Sequence, residues 1–308
     1  MTKLSKTKPE TFWRADWFAG VAVVIAALLL QQLTDFIGTL ERRFYDFAST
    51  SASRPPLDRI AVIAIDDQSI ANIGRWPWPR NVHAELIDKL SAAKTKTIVH
   101  TVFFFEPQLD AGLPYIRKIK EALGASLETG AVHEQIGQLI EQAESKLDTD
   151  ALLAASIKNA GNVLLPSVFA LGEQRGQPDS ELPDYAVKSA LDENSGFSTP
   201  ATRSQQPMPA LGQVASGIGH LNQLNDVDGA IRQEPLLVSY NGKAVPSMAL
   251  LAATKSLNLQ VSDIKFDAGS SVQIGKLKIV TDDAARMLPQ FYKRRDGKPA
   301  FEIGRAHV

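Results

Sequence analysis

The sequence contains no cysteine, which excludes disulfide bonds, thiolate metal sites and cysteine nucleophiles. It also lacks an excess of one charge, because 33 basic residues stand against 34 acidic ones and give a formal net charge of −1. Without a basic field that attracts phosphates, we expect no nucleic acid among the partners. Histidine is scarce, and its five positions show no metal-ligand spacing. We therefore expect no metal site.

Common signatures of catalysis and nucleotide binding are absent as well. The sequence has no Gly-x-Gly-x-x-Gly, Gly-x-x-x-x-Gly-Lys-Ser/Thr, Gly-x-Ser-x-Gly or His-Glu-x-x-His, and it has no protein-kinase motif set. We expect neither catalytic residues nor a cofactor in this chain. Its 308 residues, of which 44% are hydrophobic, suffice for one transmembrane segment and one large domain, or for two modest domains.

One long uncharged run lies near the start of the chain. Residues 17–34 carry no charge, and this length is close to the ~20 residues that span a bilayer core. Trp13 and Trp17 mark its entry, and several lysines precede it, so the positive-inside rule places residues 1–16 in the cytoplasm. The run predicts a transmembrane anchor, with all later residues exported. A cleaved signal peptide and a fully buried core helix are the alternatives.

The chain after the run predicts an α/β fold. Residues 36–50 have helical spacing, with an apolar face that offers a homodimer contact. A strand at 60–65, a helix at 82–93 and a strand at 97–105 predict a right-handed crossover with parallel strands. Further predictions are long helices at 113–160 divided by glycines 124, 130 and 137, a strand at 163–169, loops at 172–209, strands at 219–223, 231–240 and 272–280, and a helix at 246–257 with proline in its first turn.

The predicted fold is therefore a parallel or mixed sheet flanked by helices, with a long helical insertion, preceded by one transmembrane helix. Asp66 and Asp67 follow the first predicted strand, and Glu106 follows the second. Ligands bind at the carboxyl ends of parallel strands, so these carboxylates are candidates for binding a ligand or cation. The alternative is that Asp66 caps a local turn.

Between the two strands, tryptophan and proline alternate in the run Trp76-Pro77-Trp78-Pro79, which is followed by Arg80. Proline holds the preceding residue extended, so the two rings either fill a crevice of the sheet or offer a stacking face to a ligand. Arg80 either binds an anion or pairs with Asp66. Trp76, Trp78 and Arg80 complete the set of candidate ligand-binding residues.

Several of these segments form a pattern known from one family. Its parts are Ile65-Asp66, Gly74 to Arg80, His83, Phe104 to Pro107, Gly219 to Asn222, Asp226 to Gly229 with Arg232, and Pro246 to Leu250. The pattern resembles the CHASE-type sensor domain of the second type, the extracellular module of bacterial adenylate cyclases, histidine kinases and Ser/Thr kinases. The similarity covers residues 36 to about 300, and the interleaved Trp-Pro run is its most specific part.

The resemblance implies a sensory domain at residues 36–301, anchored in the inner membrane and lying in the periplasm or outside the cell. It implies a cytoplasmic output enzyme beyond this chain, with a Ser/Thr kinase favoured over adenylate cyclase and histidine kinase, and a stimulus that these residues do not identify. Residues 302–308 look like translated sequencing adapter, so we expect a non-native tail there. Two alternatives are an exported solute-binding or scaffold module and an exported hydrolase that uses Asp66, Asp67 and Glu106.

Overall fold

The computed structural model describes residues 16–33, 35–51, 57–108, 110–125, 130–173, 176, 180–193, 198–267, 269–292 and 302–305, the backbone alone at 31–33 and 302–305. The chain divides into two compact units. The first comprises the chain up to Val62 together with residues 290–303, and the second comprises Ile63–Pro289 together with the last five residues.

The helices in the described part of the chain are α1 (Asp16–Leu33), α2 (Phe36–Ser51), α3 (Asp67–Ile73), α4 (Arg80–Ala92), α5 (Leu113–Gly124), α6 (Ala131–Leu147), α7 (Thr149–Ala160), α8 (Asp184–Val187), α9 (Pro209–Gly212) and α10 (Met248–Ser256). The strands are β1 (Ala61–Ala64), β2 (Ile98–Val99), β3 (Val163–Leu171), β4 (Leu191–Asp192), β5 (Thr199–Gln205), β6 (Gly217–His220), β7 (Leu224–Asn225), β8 (Ile231–Pro235), β9 (Leu237–Tyr240), β10 (Lys243–Pro246), β11 (Ile264–Asp267), β12 (Ser271–Ile274), β13 (Leu277–Val280), β14 (Arg286–Met287) and β15 (Glu302–Arg305).

The first unit contains the helices α1 and α2. Apolar side chains of α1 such as Val23 and Leu28 are more than half exposed, as are Phe44 and Phe47 of α2. The helix predicted at 36–50 is confirmed, because α2 covers these residues and extends to Ser51. Among the residues described here, no helix meets both the length and the apolarity that crossing a membrane requires.

The predicted pairing of the first two strands is wrong. β1 pairs with β15 in a two-stranded sheet, whereas β2 pairs in parallel with β3. The run at 60–65 is also not buried on both faces, because Ile60 and Val62 are 49% and 44% exposed. An apolar run favours a strand but does not specify its partner. Of the strand predicted at 97–105, β2 comprises Ile98 and Val99.

The second unit is built on a mixed seven-stranded sheet, which confirms the predicted fold class apart from the preceding membrane helix. Its order is β2-β3-β5-β9-β10-β4, with β6 also pairing with β3. β2, β3 and β6 run parallel, and β5 joins β3 in antiparallel orientation. Antiparallel three-stranded sheets, β11-β12-β13 and β14-β8-β7, complete the unit.

Three clusters of buried apolar side chains form the core of this unit. The α10 cluster includes Leu164, Leu237, Leu251, Val261 and Val272. The α4–α7 cluster includes Ile87, Leu153, Val163, Leu165 and Leu211. The hairpin cluster includes Phe169, Ala186, Ile218, Val238 and Tyr240. Side chains alternate along β3, so Val163 and Leu165 enter the α4–α7 cluster on one face and Leu164 enters the α10 cluster on the other. Phe169, further along the strand, belongs to the hairpin cluster, so β3 contributes to all three.

The helical middle of the chain is confirmed, with one boundary corrected. Gly124 ends α5 and Gly130 is the N-cap of α6, as predicted, but Gly137 lies inside α6. The third division is at Asp148, whose side chain accepts a hydrogen bond from the Ala151 amide and thereby caps α7. A capping carboxylate therefore sets this boundary, since it satisfies an amide that has no partner within the helix.

The last third of the chain consists of short strands, as predicted, but their bounds differ. The strand predicted at 219–223 is β6 at 217–220, and those predicted at 231–240 and 272–280 are each divided into two strands. Asn241 and Gly242 both have positive φ and connect β9 to β10, as the Asn-Gly pair predicts. The helix predicted at 246–257 starts later, because Pro246 ends β10 and the Ser247 hydroxyl caps α10 by accepting from the Leu250 amide. The region 172–209 was predicted as loops, but it also contains β5, whose polar composition conceals it.

Candidate functional site

The predicted site begins at Asp66, which precedes the first turn of α3. Its carboxylate accepts hydrogen bonds from the Ser69 amide at 2.8 Å and from the Ser69 hydroxyl at 2.7 Å. This is N-cap geometry, in which an acidic side chain satisfies a free helix amide and lies at the positive end of the helix. Asp67, the next residue, is exposed in the first turn of α3.

The two tryptophans differ in exposure although they are two residues apart. Trp78 is 3% exposed, and its indole N–H donates to the Gly74 carbonyl at 2.8 Å. Trp76 is half-buried and meets the Trp78 ring edge to face, with 5.4 Å between the ring centroids. The peptide bond between Trp76 and Pro77 is cis. Trp78 therefore packs in the interior, whereas Trp76 retains a solvent-facing part.

Arg80, the first residue of α4, connects three segments of the chain. Its Nε donates to Asp150 Oδ1 of α7 at 3.2 Å, and its Nη2 donates to the Glu106 carbonyl oxygen at 3.0 Å. The guanidinium also lies 4.3 Å from the centroid of the Phe104 ring, a cation–π contact. The Gln108 side-chain oxygen accepts from the Arg80 amide at 2.8 Å. The ion pair of Arg80 is thus with Asp150 and not with Asp66.

Beneath Arg80 lies a pair of buried histidines. His83 Nδ1 and His100 Nε2 are 3.2 Å apart, and Phe104 packs against both rings at centroid distances of 5.2 and 5.1 Å. Trp76 approaches His83 edge to face at 5.9 Å. We refer to Trp76, Trp78, His83, His100 and Phe104 as the aromatic cluster.

The surroundings keep both imidazoles neutral. Burial, together with a smaller contribution from the positive charge of Arg80, lowers the pKa of His83 to about 4. Burial also lowers the pKa of His100 to about 3, with a contribution from His83. A neutral imidazole has one donor and one acceptor nitrogen, so the 3.2 Å contact is a hydrogen bond between two uncharged rings.

The structure brings together part of the predicted set. Trp76, Trp78 and Arg80 lie in or directly on the aromatic cluster, and Glu106 contributes its backbone carbonyl while its side chain is exposed. Asp66 is engaged at the start of α3. Within the described ranges, no group of three or more His, Asp or Glu residues has an arrangement that could hold a metal ion.

A second set of motif residues forms hydrogen bonds and ion pairs near β6, β7 and β8. Arg232 is buried and donates to Asp226 at 2.8 Å and to Asp228 at 2.7 Å, which closes the turn at Gly229. The Asn222 amide bonds to both backbone groups of Phe169 in β3, accepting at 2.9 Å and donating at 2.6 Å. Residues 226–229 thus form a tight turn, in which the Gly229 amide also donates to the Asp226 carbonyl at 2.8 Å.

The motif residues described above lie within a stretch that matches one family of protein domains. Residues 20–306 match the CHASE2 domain family. The chain belongs to this family. CHASE2 is an extracellular sensory domain of signal-transduction receptors, which confirms the resemblance found in the sequence. No curated protein and no solved structure matches the chain.

In this CHASE2 domain, the most specific motif forms the interface between α4 and the segment that follows β2. The sequence identified Trp76, Trp78, Arg80 and His83, and it included Phe104 in the family pattern. It did not identify the partners His100, Gln108 and Asp150. Asp150 lies 70 positions from Arg80, and no local spacing relates the two. One signal in the sequence could have indicated the buried pair. His100 interrupts the apolar strand predicted at 97–105, and a buried polar side chain in such a run requires a hydrogen-bonding partner.

We expect the stability of this CHASE2 domain to fall in mild acid. The pKa values of His83, His100 and the buried His220 lie at about 4, 3 and 3, below the 6.5 of a free imidazole. The unfolded state therefore takes up protons first, and stability present above pH 6.5 is lost as the pH falls towards 4, by about 1.4 kcal/mol per pH unit for each imidazole. Urea unfolding at pH 7, 6 and 5 measures this slope.

Two variants test whether the buried histidines cause this dependence of the unfolding free energy on pH. His83→Gln is expected to reduce it, and His133→Gln, at a half-buried position of α6 outside the aromatic cluster, is the control. Burial raises the pKa of Glu234 to about 6, and this opposes the histidines, because its contribution is lost as the pH rises from 4.5 to 6. Equal slopes in wild type and His83→Gln would contradict the assignment.

Proposed function

We propose that this chain is the signal-input part of a bacterial membrane receptor. The observation that carries the proposal is the CHASE2 match over residues 20–306, because CHASE2 domains are extracellular sensors. On this proposal the second unit lies in the periplasm or outside the cell. A stimulus there shifts the domain between two packings, and the helices that precede it transmit the change across the inner membrane.

The proposed membrane anchor is α1. Support comes from the sequence, in which residues 17–34 are uncharged, and from the exposure of Val23, Val24, Ile25 and Leu28 on this helix. A soluble protein tends to bury such side chains, whereas a lipid environment accepts them. Lysines before the helix favour a cytoplasmic N-terminus.

The proposed output is a cytoplasmic enzyme, and a Ser/Thr protein kinase is favoured over an adenylate cyclase. This part rests on the resemblance of the sequence to receptors with these outputs. Sequencing the gene beyond codon 301 tests it, because a kinase domain carries the His-Arg-Asp catalytic loop and the Asp-Phe-Gly motif, which distinguish it from a cyclase. A gene with no further membrane helices or output domain would favour an exported scaffold module instead.

A topology assay tests the anchor. Alkaline phosphatase, which is active only outside the cytoplasm, is fused after Val308, and β-galactosidase is fused at the same position in a second strain. We expect phosphatase activity from the first strain and no β-galactosidase activity from the second. The opposite pattern would refute both the anchor and the extracytoplasmic sensor.

A pair of matched variants ties export to α1. Val24→Arg combined with Leu28→Arg introduces two charges at the centre of the helix, at a cost of about 2.5–3.5 kcal/mol each for insertion. We expect this variant to lose most phosphatase activity. The control, Phe44→Arg with Phe47→Arg, makes the same exchange on exposed positions of α2 and is expected to retain export.

A further inference from the structure

A polar cleft in the second unit lies apart from the aromatic cluster. Its volume is about 640 Å³, within the range of about 300–1,000 Å³ typical of small-molecule sites. Four segments line it, namely the chain from α8 into β4, the turn from α9 into β6, the end of α10, and residues 260–262 at the start of the 3-10 turn Val261–Asp263.

The cleft lies where the three buried clusters approach one another. Val261 on one wall belongs to the α10 cluster, and Ala190 on another packs against the hairpin cluster. Ala215 on a third wall packs against the α4–α7 cluster. A molecule held in the cleft therefore lies against residues that belong to, or pack against, each of the three clusters. This is a suitable position for a ligand that selects between two packings.

The charge of the cleft is positive. Lys188 and Lys255 line it, and neither forms a salt bridge within the described part of the chain. The acidic lining residue is Asp192, and Lys243 neutralises it in an ion pair. Two ammonium groups thus remain to attract a ligand, and an ammonium is a strong donor to carboxylate and phosphate oxygens.

The walls of the cleft are held in place by their own hydrogen bonds and close packing. The Tyr185 hydroxyl donates to the Pro207 carbonyl at 2.7 Å, and the buried Ser189 hydroxyl accepts from the Ile218 amide at 2.9 Å. The Tyr185 ring lies so close to Gly212 that an added Cβ would come within 2.4 Å of it. Because the wall is already ordered, the protein loses less conformational entropy when a ligand binds.

We propose that this cleft binds a small hydrophilic anion that carries a carboxylate or phosphate group. Lys188 and Lys255 bind the oxyanion, and the side chains of Gln213, Ser216 and Gln260 offer hydrogen bonds to hydroxyl groups of the same molecule. The inference deepens the proposed sensor function and rests on it for its biological meaning, whereas binding itself is measured independently of signalling.

The test is calorimetric titration of the purified full chain in detergent. The probes are glucose 6-phosphate, gluconate and inorganic phosphate, with uncharged glucose as the comparison. We expect the organic anions to bind and glucose to bind at least about tenfold more weakly, since it lacks the charge-assisted hydrogen bonds. Binding of the phosphate ester alone, or of the carboxylate alone, assigns the oxyanion that the cleft prefers.

Three charge-removing variants complete the test. Lys188→Gln and Lys255→Gln are each expected to weaken binding about tenfold, as the loss of one charge-assisted contact predicts. Lys265→Gln, on an exposed position of β11 outside the cleft, is the control and is expected to bind like wild type. Thermal unfolding of each variant verifies that it folds.

The proposal is overturned if no anion binds at up to about 10 mM, a concentration that detects even millimolar affinity. It is also overturned if glucose binds as well as the anions, or if both cleft lysines can be replaced without effect. The topology assay separates this failure from that of the sensor proposal. An exported domain that binds none of the probes leaves the sensor in place and removes only this ligand site.

Discussion

Replacing Asp150 by alanine is expected to lower the free energy of unfolding by about 3–5 kcal/mol, the usual effect of removing one partner of a buried ion pair. Asp150 is 8% exposed, and its two oxygens accept from Arg80 at 3.2 Å and from the Gln108 amide at 2.7 Å. The variant leaves the largely buried Arg80 guanidinium without its anionic partner and the Gln108 backbone N–H without its acceptor. Urea unfolding of the full chain, followed by far-UV circular dichroism, measures the loss.

A surface ion pair is the matched control for Asp150. Glu85 pairs with Lys89 at 3.2 Å on the exposed side of α4, and Glu85→Ala is expected to cost no more than about 0.5 kcal/mol. Combining Asp150→Ala with Arg80→Met removes the unpaired charge, so the double variant is expected to lose less than the sum of the single losses. A loss in Asp150→Ala as small as that in Glu85→Ala would contradict the prediction.

Replacing Trp78 by alanine is expected to cost about 3–5 kcal/mol, as is typical of a large aromatic side chain removed from a core. The ring is 3% exposed, packs against Trp76, and donates to the Gly74 carbonyl. Alanine leaves a cavity beside the buried histidine pair. The same urea unfolding experiment measures the change.

Two further variants separate packing from hydrogen bonding at this position. Trp78→Phe retains an aromatic ring and loses the indole N–H, so we expect a smaller loss of about 1–2 kcal/mol. Trp76→Ala, at the half-buried ring of the same motif, is also expected to cost less than Trp78→Ala. Equal losses for the two alanine variants would show that burial of Trp78 is not what stabilises the motif.

The sequence predicted the helices of this domain better than its strand pairing, for a physical reason. The spacing of apolar residues sets the face of a helix such as α2 or α4, and this information is local. A strand requires a partner, and the partner of β1 is β15, more than 200 residues later in the chain. β5 was missed because its alternating polar residues do not form an apolar run.

The candidate site was predicted in part, for the same reason. Local chemistry offered the Asp66 cap and a buried Trp78 as alternatives to ligand binding, and it selected Arg80 but suggested Asp66 as its partner. The partner of Arg80 was not predictable, because Asp150 belongs to a helix that the sequence places in an insertion. The cleft with Lys188 and Lys255 was not visible either, since four distant segments form it.

The position of β3 has a consequence for how this domain opens. This strand contributes Val163 and Leu165 to one cluster, Leu164 to a second and Phe169 to a third. Its edges are covered by β2, β5 and β6. No cluster can therefore become exposed to solvent without disturbing β3, the strand that it shares with the other two. The amides of β3 are expected to be among the slowest in the domain to exchange with deuterium. When β3 unfolds, all three clusters lose a shared strand, so unfolding of the domain is cooperative.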